Sequence, residues 1–286
     1  MIGFNYLGKL GQLGNQMFQY ASVLGVAEGI GTSCCIPKHN NVVVDGLGNR
    51  LRVELFDAFK INPEHVGFIP AQDLQEKTYE YDDSFLKLNP DIDTNLVGFF
   101  QTEKYFKNIE QDIRRDFTFH DSILGPCKEM IDSLDQAPLF LHVRRGDPNL
   151  VDARGFKWSY TECSSQHPPQ PVEYYEKALK EFPEDQPIVV CSDSPEWVNE
   201  QEFFSDDRFL VSEPTDKYSD GSFEPFVDLC IMSLCSGAII ANSSLSWWGA
   251  WLQNRRGKVV APKQWFGPDY KDKNLKDLYC DGWIVI

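Results

Sequence analysis

In the second half of the chain, short continuous apolar runs alternate with stretches of helical spacing, and this alternation leaves few folds open. The runs are Leu139–Val143 and residues 188–191, 209–211, 238–241 and 259–261. A strand that is apolar on both faces must be buried between two layers, as in a parallel sheet covered by helices. The intervening stretches 171–182, 195–204, 225–235 and 245–253 carry apolar residues three and four apart. Three of them open with proline, which suits the first helical position because its missing N–H has no intrahelical partner there. The pattern predicts a doubly wound α/β sheet.

The first half begins the same way, with a strand near residues 2–7, a glycine-rich turn, a helix over 15–28 and a strand over 33–36. Residues 38–100 are rich in Asn, Asp, Gly and Pro, and from there to the middle of the chain only 49–59 and 101–117 show usable periodicity. A chain of 286 residues exceeds what one core fills, so two domains are expected, here 1–136 and 137–286. Residues 146–171 lack periodicity and read as a long functional loop.

Charge excludes several functions. With 43 acidic against 27 basic residues, the net charge of −16 repels nucleic acid and anionic membrane surfaces. A nucleotide remains possible in a closed pocket, since salt screens a surface field within about 10 Å. No stretch approaches the roughly 20 apolar residues of a membrane span, and the start, Met1-Ile2-Gly3-Phe4, has no basic leader, so a cytoplasmic protein is expected. The eight cysteines include no CxxC pair and read as buried thiols.

The sequence 138–147, PLFLHVRRGD, is an apolar strand ending in His142, Arg144, Arg145 and Asp147. Ligands of open α/β sheets bind at the carboxyl ends of strands, and an arginine fork suits phosphate. Strand alternation puts His142 and Arg144 on one side, so Arg144 meets the ligand and Arg145 falls behind it. Two arginines and an aspartate also form purely structural ion-pair clusters at strand ends.

A second strand end, Ala241-Asn242-Ser243-Ser244, runs straight into a helix bearing Trp247, Trp248 and Trp251. Helix starts bind anions through unpaired N–H groups and the dipole, and the two serines add hydroxyls. Serine is equally a plain helix cap, and the tryptophans fit a core face. A third end, Ser192-Asp193-Ser194, offers Asp193 to a guanine edge, or Asp193 or Ser194 as the cap of the next helix. The turn Gly11-Gln12-Leu13-Gly14-Asn15-Gln16 has neither a GxGxxG fingerprint nor a P-loop lysine, which argues against nicotinamide and ATP. Its glycines allow a backbone to approach a ligand.

Together, HxRRxD at residues 142–147, NSSxSWWGAWL at 242–252 and LGNQMFQYA at 13–21 resemble glycosyltransferase family 11, the α-1,2-fucosyltransferases. The resemblance implies a GT-B-like α/β fold of two Rossmann-like domains facing across a cleft, with GDP-fucose in the C-terminal one and no metal. It implies Arg144 on the donor β-phosphate, Ser243 and Ser244 on the diphosphate and Asp193 on guanine. Arg145, Asn242, Gly14, Asn15 and Gln16 complete the implied binding set. Two departures stand out: Gly11-Gln12 where the family pairs glycines, and Ser192-Asp193-Ser194 where it has SDD.

Inverting transfer requires a stabilised leaving group and a base for the acceptor hydroxyl. Asp147 is the candidate base and His142 its runner-up. The expected acceptor is a galactose-terminated oligosaccharide or glycolipid, and a lipid-linked acceptor would bring the protein to a membrane surface. Asp91-Ile92-Asp93 has the DxD form of metal-dependent transferases but lies far from the phosphate elements. The rival readings are another GDP-hexose or acceptor, and a non-catalytic GDP-sugar or glycan binder.

Overall fold

The computed structural model describes residues 1–38, 43–44, 50–146, 164–212, 225–254 and 257–286. The chain forms two compact units, Met1–His120 with Lys273–Cys280, and Asp121–Asp272 with Asp281–Ile286. The division thus falls 16 residues before the boundary expected at 136/137. The helix Asp121–Asp132 packs against a helix of the second unit, and a short C-terminal stretch belongs to the first.

The first unit runs β1 (Ile2–Gly3), α1 (Leu13–Ile30), β2 (Cys34–Cys35), β3 (Val43–Val44), β4 (Arg50–Leu51), α2 (Leu55–Ala58), β5 (Gln72–Gln75), β6 (Thr94–Val97) and α3 (Glu110–Asp116). Its four-stranded sheet has the order β2-β1-β6-β5 and is parallel throughout. α1 is buried along nearly its whole length, as its apolar circumference dictates. β5 and β6 lie in the segment that gave no periodic signal, and β5 is mostly exposed, with Leu74 its one apolar residue. The periodic stretch 101–117 forms two 3₁₀ turns before α3 begins.

The second unit runs α4 (Asp121–Asp132), β7 (Leu139–Val143), α5 (Val172–Leu179), β8 (Ile188–Ser192), α6 (Pro195–Glu200), β9 (Phe209–Val211), α7 (Phe226–Leu234), β10 (Ala238–Ile239), α8 (Ser244–Trp251), β11 (Val259–Ala261) and β12 (Ile284–Val285). Its strands are ordered β12-β11-β10-β7-β8-β9 and all pair in parallel. This is the doubly wound order, with its reversal between β7 and β10. All five runs read from the sequence are strands, and β12 adds an edge.

One face of the sheet, with Leu139, Leu141, Val143 and Val190, packs on Tyr174, Tyr175 and Ala178 of α5 and Val198 of α6. Alternation turns Phe140 and His142 the other way, toward the face where α7 meets β7 and β8. α7 packs tightly on α8. A Cβ on Gly249 would lie 2.6 Å from that of Met232, so glycine permits this approach. Trp247 and Trp248 are fully buried, each stabilising by about 2 to 3 kcal/mol. They anchor α8 so that its N-terminus points out beside the end of β10.

Candidate functional site

The carboxyl ends of β7 and β10 flank the strand-order reversal, where a doubly wound sheet opens its binding crevice. Phe140 and Leu141 pair with Ala238 and Ile239, so Arg144 and Asn242 leave the sheet three residues beyond paired positions. Both sequence motifs therefore sit on this rim.

Asp193, just past β8, organises the β7 end. Its Oδ2 accepts from Arg144 Nη1 at 2.6 Å and from the Gly146 N–H at 2.8 Å, and its Oδ1 accepts from the Arg145 N–H at 2.9 Å. The Ser194 hydroxyl donates to the Gly146 carbonyl at 2.5 Å. A carboxylate has about four acceptor positions. Asp193 therefore has too few left for the two donors of a guanine edge, and the guanine role expected of it is corrected to one of positioning Arg144. The capping alternative fails too, since Ser194, at the N-cap of α6, makes no side-chain cap bond. The Arg144 and Asp193 side chains are 25% and 22% exposed, so the pair is reachable from solvent.

Arg145 faces the other way, its guanidinium 3.9 Å from the Trp197 ring centre. Burial lowers its pKa. His142 is 3% exposed, and burial pulls its pKa down to about 3, with Asp193 opposing and Arg144 reinforcing the shift. Such an imidazole stays neutral but is a poor proton acceptor near neutrality. Its Nδ1 has no hydrogen-bond partner among the described residues. Asp147 lies outside the described residues.

At β10, Ser243 caps α8, its Oγ accepting from the Leu245 N–H at 3.3 Å. Ser243 and Ser244 are half-buried at the rim, while Ser246 turns inward to the carbonyls of Ala241 and Ser243. Both readings of the serine pair hold: a capped helix start that also presents N–H groups to an anion. Asn242 does not face a ligand. Its Nδ2 donates to the carbonyls of Pro168 and Trp265 and its Oδ1 accepts from Gln170, so its binding role is corrected to bracing the turn.

Sequence reasoning missed Asp228, on α7. Its Oδ1 accepts from Ser212 Oγ, just past β9, at 2.8 Å, and the Cys191 thiol lies beside its backbone carbonyl. Burial raises its pKa to about 6. The available signal was a lone carboxylate in the apolar run Phe226–Leu234, where an unpaired charge is costly.

Gly14, Asn15 and Gln16 belong to the first unit. Gln16 is fully buried: Nε2 donates to the Arg52 carbonyl at 2.8 Å and Oε1 accepts from the Glu54 N–H at 2.9 Å. Gln19 similarly holds the carbonyls of Leu10 and Gly98. Gly14 is buried and Gln16 spends its amide on bracing the turn, so the binding role expected of these two is corrected as well. Asn15 is half-buried and accepts from Gln101 Nε2, whose Oε1 accepts from the Tyr79 hydroxyl. Asp91 and Asp93 precede β6, at the amino end of its sheet, where Asp93 pairs with the Met1 amine at 2.7 Å. That is the end opposite to where such sheets hold ligands.

Two α/β units, each built on a parallel sheet, the second with an arginine and a helix start at a doubly wound switch point, are the parts of a GT-B fold. Over 92% of this chain and 94% of its own, the crystal structure of NodZ alpha-1,6-fucosyltransferase soaked with GDP-fucose superposes with a TM-score of 0.52 at 12% identity. The family model of glycosyl transferase family 11 matches residues 2–286, and the chain belongs to that family. An alpha-1,2-colitosyltransferase of Escherichia coli is 29% identical over 96% of both chains. The galactoside alpha-(1,2)-fucosyltransferase 1 of Homo sapiens is 26% identical over 85% of this chain, which spans 63% of that enzyme.

Proposed function

We propose that this glycosyltransferase is an inverting α-1,2-fucosyltransferase that moves fucose from GDP-fucose to the 2-hydroxyl of a terminal galactose in a glycan. The observation that carries the reading is Arg144, fixed by Asp193 on the same rim as the capped start of α8. In the reaction the bond from fucose C1 to the β-phosphate oxygen breaks and a bond from C1 to the acceptor oxygen forms on the opposite face. The hydroxyl proton leaves to a base. Arg144 meets the negative charge that develops on the departing GDP, and the Ser243–Ser244 turn with the first N–H groups of α8 holds the diphosphate.

Base recognition fits Asp228 better than Asp193. Its carboxylate accepts from Ser212, just past the end of β9, with the Cys191 thiol of β8 beside it. Asp147, which follows Gly146 directly, is proposed as the general base. With fixed cationic and N–H groups at the diphosphate, the proposal includes no metal. A second reading, transfer of colitose or another GDP-linked sugar, is favoured by the length and identity of the match to the colitosyltransferase.

The test is GDP release from GDP-fucose with and without a galactose-terminated disaccharide, in excess EDTA, with GDP-mannose as a competing donor. Acceptor-dependent release from GDP-fucose is the expected result. Release only with another GDP-sugar would move the donor assignment. GDP binding without release would favour a non-catalytic GDP-sugar or glycan binder.

A further inference from the structure

Gln170 belongs to none of the motifs, yet it ties the rim of the second unit together. It is 5% exposed, and its Nε2 donates to Asn242 Oδ1 at 3.1 Å and to the Gln264 carbonyl at 2.9 Å. Asn242, 8% exposed, donates to the carbonyls of Pro168 at 3.0 Å and Trp265 at 3.1 Å. Each carboxamide carries two N–H donors, so all four are consumed in joining three backbone segments. The outer two are braced again: the Gly267 N–H donates to the Gln166 carbonyl and the Asp269 N–H to the Ser165 carbonyl, both at 2.8 Å. A Cβ on Gly267 would lie 2.4 Å from the Ser165 oxygen, so the two chains approach as closely as glycine permits. The His167 ring sits 5.6 Å from that of Phe266 and 5.8 Å from that of Tyr270.

Asn242 immediately precedes Ser243, the cap of α8, and the Ser243 N–H turns back to the Ala241 carbonyl at 2.8 Å. The direction in which Ser243 presents its hydroxyl therefore depends on where Asn242 is held. We infer that Gln170 is a positioning residue for the donor: acting through Asn242, it fixes the Ser243–Ser244 turn against the diphosphate. The inference rests on the proposed assignment of that turn to the donor. Without the Gln170 amide, Asn242 Oδ1 and the Gln264 carbonyl lose a donor in a buried setting, and the turn relaxes to recover one. Losses of outer-shell partners at metal sites weaken ligand binding about tenfold or more, and a similar scale is expected here.

The test replaces Gln170 with Met, which keeps length and bulk and removes the amide. GDP affinity is measured by calorimetry well below the unfolding midpoint, in the wild type, Gln170→Met, Ser243→Ala and the double variant. The GDP Kd is expected to rise about tenfold in Gln170→Met, with donor KM rising far more than kcat falls. In the Ser243→Ala background the effect should shrink, because both changes act on one turn. An unchanged Kd with a lowered Tm, or a full effect in the Ser243→Ala background, would overturn the inference. A wild type that binds no GDP would sink the donor assignment and this inference with it. If Gln170→Met does not fold, Gln170→Leu, which also removes the amide with little change in bulk, takes its place with the same outcomes.

Discussion

Asp193 holds Arg144 by a 2.6 Å bond from Nη1, and the same carboxylate accepts the N–H groups of Arg145 and Gly146. One side chain past β8 thereby shapes the whole end of β7. Asp193→Asn keeps the volume but removes the charge and turns an NH₂ group toward donors. Turnover is expected to fall at least tenfold, and stability by about 1 to 2 kcal/mol, the usual cost of unmaking charge-assisted bonds at a partly solvated site. Steady-state kinetics and denaturant titration check both. Wild-type turnover in a folded variant would remove Asp193 from the positioning role.

Arg144→Ala should lower kcat more than a hundredfold and leave a folded protein, since one preorganised donor at a developing charge supplies about 3 to 4 kcal/mol. Arg144→Lys should recover only a small part, because an ammonium lacks the planar fork that meets Asp193 and a phosphate together. Kinetics with circular dichroism on both variants decide the matter. A Lys variant as active as the wild type would reduce Arg144 to a point charge.

The second unit was largely legible because its strands are buried on both faces and leave continuous apolar runs, of which Leu139–Val143 is the clearest. β5 and β6 were not legible: Gln72–Gln75 is held by parallel pairing to β6 rather than by an apolar pattern of its own. The rim residues Arg144, Ser243 and Ser244 could be found because phosphate chemistry demands their types at strand ends. The roles of Asp193, Asn242 and Gln16 could not. Whether a polar side chain faces a ligand or the backbone depends on segments dozens of residues away, such as Arg52 for Gln16 and Trp265 for Asn242. Asp228 stood out only as an anomaly in an apolar helix.

GDP binding should weaken on acidification through Asp228. Burial raises its carboxyl pKa to about 6, with Ser212 and Cys191 opposing the shift and the nearby Asp193 charge adding to it. Accepting from a guanine edge requires the anion, so the GDP Kd is expected to rise as pH falls through about 6. The stability effect has the opposite sign. The folded carboxyl binds its proton more tightly than the unfolded one, so its ionisation costs stability as pH rises through the same range. Calorimetric GDP titrations across this range test the binding effect. Asp228→Asn should bind GDP weakly throughout and without that pH dependence; retention of the dependence would place its origin elsewhere.

His142 should make the fold sensitive to acid. Its pKa is depressed to about 3 in the folded protein, chiefly by burial, against about 6.5 in an unfolded chain. The contribution is fully present above about pH 6.5, where both states carry a neutral ring, and is lost as pH falls toward 3, because the unfolded chain takes up a proton that the folded one refuses. Each pH unit in that window costs up to about 1.4 kcal/mol from this one group. His142→Gln, which cannot be protonated, should flatten the slope of stability against pH between about 6 and 4, measured by urea unfolding. At neutral pH the same variant should retain acceptor-dependent turnover, since a ring with so low a proton affinity is a poor base. A variant that folds, binds GDP and fails to transfer would restore His142 as the group that removes the acceptor proton.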